Sequence, residues 1–412
     1  VTRNVAVTGI GWVTPLGCGA EPVWKALLAG RNGIGPITRF DAAPYATRFA
    51  GEARDFRPVD WMDVRTARHL DRFVQFAVAA GAMALKDSGL EADKLDPYRA
   101  GVLVGSGSGG IETIEEGQTR LINRGPDRVP PLSIPKMMIN AASAALAEAH
   151  GLKGPSFAVT AACSTGAVAV AQAASCILTG QAEVMLAGGS EASITPLSMA
   201  AFSACGALSK RNDDPVHASR PFDLRRDGFV MSEGGAVLVL EEMARARARG
   251  ARIYAELSGW GLTSDSHHIT APEPTGEPAA RAISGALAMS GEPVDAVGYI
   301  NAHGTGTPLN DPAETRAIRL ALGAAADRVP VSSTKSMLGH MLGAAGAAEA
   351  AIAALAVHTG RIPPTMNIEE QDPACDLDCV PGSAREAKGL RLALSNSFAF
   401  GGHNACLAMR RA

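Results

Sequence analysis

The chain repeats itself. Residues 156–180, SFAVTAACSTGAVAVAQAASCILTG, are echoed by residues 328–360, RVPVSSTKSMLGHMLGAAGAAEAAIAALAVHTG: a short β-type run, a turn of small residues, a long Ala-rich helical pattern, then Thr-Gly. VMLAGGSEA (184–192) is likewise echoed by NSFAFGGHN (396–404), a strand running into Gly-Gly. A duplicated unit constrains the fold more than any single motif, because whatever packs in one half must pack again in the other. We place the halves at residues 1–250 and 251–412. They form one compact unit, since no Ser/Gly-rich or charged linker divides the chain.

Strand-like runs recur at 5–10, 101–104, 157–160, 184–187, 236–240, 253–257, 297–300, 329–332, 392–395 and 405–409. Helical patterns fill 21–29, 66–87, 135–149, 164–178, 279–288, 313–322 and 344–358. This alternation predicts an α/β fold with largely parallel sheets covered on both faces. An apolar share of 47% over 412 residues supplies ample core, and a net charge of −3 argues against a nucleic-acid partner. The most apolar stretch, 343–357, is Ala-rich and too short to predict a membrane span, and VTRNVAVTGIGWVTPLG lacks the features of a secretory signal. The seven cysteines are scattered without zinc-type spacing, Cys375 and Cys379 being the one close pair. They predict no metal centre and a reducing, cytoplasmic compartment.

Cys163 stands where a strand breaks into a helix. A thiol there faces unpaired N–H groups and the positive end of the helix dipole, which predicts a pKa lowered from about 8.5 by roughly 1.5 units. A buried structural cysteine is the alternative, and the local pattern leaves both open. Gly105, Gly107 and Gly110 spell G-x-G-x-x-G, but the helix that follows opens with Glu112, Glu115 and Glu116, which would repel a pyrophosphate. Where a ribose-binding acid belongs, the chain reads VPPLSIP, so no nicotinamide cofactor is expected. NAHGTGTPLND puts His303 at a strand end before a loop carrying Thr305 and Thr307, shaped for something extended and polar. SSTKSMLGHMLGAAGAAEA carries Lys335, His340 and Glu349; a Lys335–Glu349 pair requires the chain to fold back on itself. A cysteine hydrolase needs one basic His and an orienting group. Two His beside one Cys suit a different task, in which the thiolate takes one thioester while two imidazole N–H groups polarise the carbonyl of a second.

With these residues assembled, the chain resembles the β-ketoacyl-acyl-carrier-protein synthases, specifically the elongating type II condensing enzymes. NVAVTGIGWVTPLG, AACSTG, SRPFDLRRDGFVMSEGGAVLVLEE, NAHGTGTPLNDPAE, SSTKSMLGHMLGAAGAAE and NSFAFGGHN occur in family order over effectively the whole length. The resemblance implies a thiolase-like fold, layered α-β-α-β-α, in a homodimer that works with acyl carrier protein and needs no cofactor, the phosphopantetheine arm arriving on the carrier. It implies Cys163 as acyl acceptor, and His303 and His340 as promoters of malonyl decarboxylation supported by Lys335 and Glu349. The backbone N–H groups of Cys163 and Phe400 form the implied oxyanion hole. Thr305 and Thr307 face the pantetheine, Gly401 and Gly402 complete the substrate loop, and Arg65, Arg68 and Arg128 are candidates for carrier docking. Departures from the family pattern are Ser108 and Ser133, which imply a longer or more polar acyl pocket, and Ala399, which is strained if its φ is positive. A ketosynthase of a dedicated polyketide or polyene pathway, or a non-catalytic chain-length partner, is the alternative reading.

Overall fold

The computed structural model describes residues 3–412. Its centre is an eleven-stranded mixed sheet. Ten strands lie along its path: β1 (Val5–Thr14), β2 (Ala100–Gly105), β3 (Ser156–Phe157), β4 (Val184–Glu191), β5 (Gly234–Glu242), β6 (Ala255–Ser264), β7 (Val297–Asn301), β8 (Val331–Ser332), β9 (Leu392–Ala399) and β10 (His403–Arg410). Their spatial order is β8-β7-β9-β10-β6-β1-β5-β4-β2-β3. Counted outward from the centre, each half runs first, fifth, fourth, second, third strand. The two halves meet where β1 pairs antiparallel with β6, Val5 opposite Leu257 and Val7 opposite Ala255.

The pairing directions match as well. β1–β5 and β5–β4 are antiparallel while β4–β2 and β2–β3 are parallel; β6–β10, β10–β9, β9–β7 and β7–β8 repeat the pattern. The sheets are therefore mixed, not largely parallel. The last two strands of each half follow one another without a crossover to carry the chain back, so they return antiparallel.

Helices complete the layers. α1 (Arg72–Ser88) and α2 (Ala141–His150) cover one outer face; α3 (Thr165–Leu178) lies inside; α4 (Glu277–Ser290) and α5 (Asn310–Leu322) cover the other outer face; α6 (Ala345–Thr359) lies beside α3. This is the expected α-β-α-β-α stack. The Ala-rich character of α3 and α6 now has its reason: the two halves of the one sheet form the two β layers, and a helix between them is buried all round, where only small side chains fit. α6 is buried from Ala345 through Val357. With its preceding turn it spans Leu342–Thr359, long and apolar enough to cross a membrane, contrary to expectation, but it lies in the molecular centre.

Two helical patterns are interrupted. The segment read as 66–87 breaks before Asp71, whose carboxylate accepts the Phe73 N–H and also the Thr113 N–H and hydroxyl. The segment read as 135–149 divides into Ser133–Met137 and α2.

Candidate active site

Cys163, His303 and His340 come from three separate turns and line one cavity of about 280 Å³. Cys163 sits in the 3-10 turn Ala162–Ser164 that opens α3, half-buried, and Ala162 before it adopts φ 47°. His303 follows β7, its backbone N–H donating to Glu314 Oε1 at 2.8 Å and the Gly304 N–H to Glu314 Oε2 at 2.7 Å. His340 is pinned by its own backbone: its N–H donates to the Val230 carbonyl at 2.7 Å and its carbonyl accepts from Ser232 at 2.9 Å. The two imidazoles meet edge to face with centroids 5.4 Å apart, and Phe229 backs His340 at 5.1 Å.

The hydrogen bonds fix the tautomers. His340 Nδ1 accepts the Leu342 N–H at 3.2 Å, and His303 Nδ1 faces the Lys335 ammonium at 3.4 Å, where only donors are offered. In a neutral imidazole the proton then sits on Nε2. Burial holds both imidazoles well below the usual histidine range, and the nearby Lys335 charge lowers them further. Two uncharged rings thus each present an Nε2–H donor.

Lys335 does fold back onto Glu349. Its ammonium also donates to the His303 carbonyl at 2.6 Å, so one buried cation ties the carboxylate of α6 to the backbone of the His303 turn. Burial pushes Glu349 up to about 7, against the pull of Lys335.

The Cys163 thiol departs from expectation. It is pushed up to about 12, because burial against the apolar wall of Phe202, Phe229 and Leu342 outweighs the lowering by Lys335 and by the Phe400 N–H directed at the sulfur. The helix terminus does not dominate in a site this dry.

Other expected residues fall into two groups. Thr305, Thr307 and Phe400 line the cavity, the two threonine hydroxyls 2.9 Å apart. Gly401 and Gly402, at φ 82° and 72°, form the β9–β10 hairpin beside it; the Gly401 N–H donates to Ile269 and the Gly402 carbonyl accepts from Asp265, which bonds Asn404 at 2.6 Å. Ala399 is the last residue of β9 and is absent from the positive-φ positions, so the strain argument does not apply to it. Ser108 and Ser133 do not line the cavity. Ser108 is folded over Glu191 and Ser193, and the Ser133 hydroxyl donates to Pro130. Their expected effect on pocket polarity therefore finds no support, and the wall beyond Cys163 is aromatic. Arg65, Arg68 and Arg128 are exposed and make no ion pair among the described residues. The fingerprint glycine Gly107 spends its N–H on Glu191.

Sequence reading missed Glu314, Glu191 and Asp265. Glu314 was accessible: Asp311 and Glu314 share a buried face of α5, while Arg316 and Arg319 of the same helix face outward. Nothing local marked the other two, whose importance comes from what the fold brings to them.

A thiol beside two neutral imidazole donors, brought together on three turns of a duplicated α-β-α-β-α body, defines a condensing enzyme of the ketosynthase class, and the chain belongs to the β-ketoacyl synthase family. The family's N-terminal domain matches residues 2–246 and its C-terminal domain residues 254–369. The chain is 50% identical over 409 residues, 99% of its length and 98% of the relative's, to 3-oxoacyl-[acyl-carrier-protein] synthase 2 of Synechocystis sp.. Among solved structures it is similar to the ishigamide ketosynthase/chain length factor (TM-score 0.93, 36% identity, all of both chains). A ketosynthase bound to a hexaketide, in complex with its type II polyketide acyl-carrier protein, superposes at TM-score 0.92 with 33% identity over all of both chains.

Proposed function

We propose that the protein is a 3-oxoacyl-[acyl-carrier-protein] synthase that extends a fatty acyl chain by two carbons through decarboxylative condensation with malonyl-carrier protein. The observation that carries this reading is that His303 and His340 line one cavity with Cys163, each with its Nδ1 held against a donor, which leaves Nε2 to carry the proton. The sulfur attacks the acyl-carrier thioester, the tetrahedral oxyanion rests on the Cys163 and Phe400 N–H groups, and the thiol proton leaves with the pantetheine sulfur. Malonyl thioester then enters along Thr305 and Thr307. Loss of carbon dioxide leaves an enolate whose oxygen accepts from His303 and His340, and preorganised donors of this kind are the largest single catalytic contribution in such sites. The enolate carbon attacks the Cys163 thioester, the thiolate departs and takes a proton from solvent, and the 3-oxoacyl-carrier protein leaves. Each electron pair is accounted for without a cofactor.

The aromatic wall behind Cys163 suits an aliphatic acyl chain, and the higher identity to the fatty-acid enzyme supports that substrate over a polyketide. Carrier protein is acidic in this reading, met by Arg65, Arg68 and Arg128. A homodimer is supported by the exposed edge strand β3, and seven free cysteines suit a reducing cytoplasm. Intact-mass analysis after adding acyl-carrier protein tests the reading. Wild type should gain the acyl mass and then, with malonyl-carrier protein, release carbon dioxide and 3-oxoacyl product; acylation persisting in Cys163→Ala overturns it.

A further inference from the structure

The internal repeat places a counterpart of the nucleophile turn in the second half, and something occupies it. Ala162 and Leu342 adopt nearly the same left-handed conformation, φ 47° and 46°. Each begins a 3-10 turn, Ala162–Ser164 or Leu342–Ala344, that runs directly into α3 or α6. The helices pack back to back through the second residue of each. A Cβ on Gly166 would lie 2.6 Å from the Ala347 nitrogen, and one on Gly346 would lie 2.7 Å from the Ala167 nitrogen. Gly343 is therefore the positional counterpart of Cys163. The strands correspond as well, in a different register from the Gly-Gly echo, since Gly188–Gly189 lie inside β4 while Gly401–Gly402 follow β9: β4 ends at Glu191 where β9, of equal length and equal place in the sheet, ends at Ala399, one residue before Phe400.

The counterpart hole is built. The Gly343 N–H points into it, joined by the N–H groups of Gly107 and Ser108 and the hydroxyls of Ser106 and Ser193, and all five converge on the Glu191 carboxylate at 2.8 to 3.2 Å. Glu191 is fully buried and makes no ion pair among the described residues; burial pushes its carboxyl above the usual range, and these donors pull it back down. A carboxylate held only by convergent N–H and O–H donors is what an oxyanion hole receives, here supplied by the chain itself.

We infer that Glu191 is a positioning residue, the resident anion of a second, degenerate oxyanion hole, which locks the Gly107–Ser108 turn and the Leu342–Ala344 turn against the back of the catalytic site. The Leu342–Ala344 turn matters because the Leu342 N–H holds the His340 tautomer and the Leu342 side chain packs in the apolar cluster beside Cys163. The inference rests on the proposed roles of Cys163 and His340. With the anion removed, the Gly343 N–H loses its partner and the turn that orients His340 loosens.

The test is anion rescue. Glu191→Ala leaves a donor-lined hole of carboxylate size, and its malonyl decarboxylation should fall about tenfold, the consequence of unpairing buried donors. Added acetate or formate should restore it, while chloride at equal ionic strength should not. Glu191→Gln, which keeps the shape but turns an NH2 toward the same donors, should be impaired and should not respond to acetate. It also serves if the alanine variant fails to fold. The charges acting on Cys163 are those of Lys335, Glu349 and Glu191, and His303 and His340 line its cavity, so removing one anion should also raise the rate of Cys163 alkylation at neutral pH in Glu191→Gln. Wild-type decarboxylation in both variants, or a loss that acetate leaves unchanged together with an unaltered alkylation profile, overturns the inference. Acylation of wild type against Cys163→Ala is read in the same assay, so failure of the underlying chemistry is distinguished from failure of the role given to Glu191.

Discussion

At the scale of single residues, the site works by keeping charges off the groups that react. Cys163 is pushed up to about 12 by burial, so its thiol is neutral at rest. Alkylation by iodoacetamide should be slower than for a free cysteine at pH 7, and should keep rising with pH above 9 where a free thiol has levelled. The histidines follow the opposite rule with the same cause. Their depressed values keep both rings neutral through pH 6.5, so the acid limb of decarboxylation should lie well below it, activity being lost as pH falls through the lowered values. Lys335→Met removes a cation that lowers both, so the acid limb should move to higher pH. His303→Ala or His340→Ala should each reduce carbon dioxide release about a hundredfold while Cys163 still takes up acyl groups, a split that intact mass and gas release resolve together. Sequence reading singled out three residues that the fold brings to one cavity, but it expected a lowered thiol where burial raises it. A helix terminus is visible in letters, whereas the dryness that overrides it comes from Phe202 and Phe229, which are remote in the chain and close in space.

At the scale of elements, the ten strands were legible because nine of them are mostly buried and read as apolar runs bounded by turns, and the exposed β3 sits at the start of the apolar run 157–160. What the runs did not carry was direction or continuity. Parallel and antiparallel partners have the same letters, so the mixed pairing of β4, β5, β9 and β10 had to come from the connections. The break before Asp71 was hidden because its capping carboxylate serves Thr113, 42 residues away, as well as its own helix. The small residues of α3 and α6 were read as helix formers, and the structure adds that they set the distance between two sheet layers. Gly166 is the point of closest approach, where a methyl would meet the Ala347 nitrogen at 2.6 Å. Gly166→Ala should therefore destabilise the fold by about 1–3 kcal/mol, despite alanine's better helix propensity, and shift Cys163 relative to the histidines. Chemical denaturation should report the loss of stability, and a fall in condensation exceeding the unfolded fraction should report the shift.

At the scale of the whole molecule, the two ends of the sheet are unlike. β8 is buried at both residues, and the Val331 N–H is spent on the Asp378 carbonyl. β3, its counterpart by the repeat, is open, with Phe157 42% exposed. An open edge is a template for another strand unless something covers it. The excursion between β2 and β3 leaves Ile114, Ile122, Ile134 and Met138 exposed as well. A second copy related by a two-fold axis can cover both, since a two-fold interface matches a patch to itself and sets β3 against β3. Sedimentation equilibrium should return twice the chain mass. Phe157→Asp would place two like charges across the axis and should produce monomer, whereas Leu320→Asp, exposed on α5 in the other half, should leave the dimer intact. The Ser156–Phe157 strand also bonds Ser143, whose hydroxyl reaches the Val104 backbone at the end of β2. β2 leads straight to Ser106 and Gly107 over Glu191, so freeing the edge should loosen the donors behind the site, and the monomeric variant should lose condensation activity along with its partner.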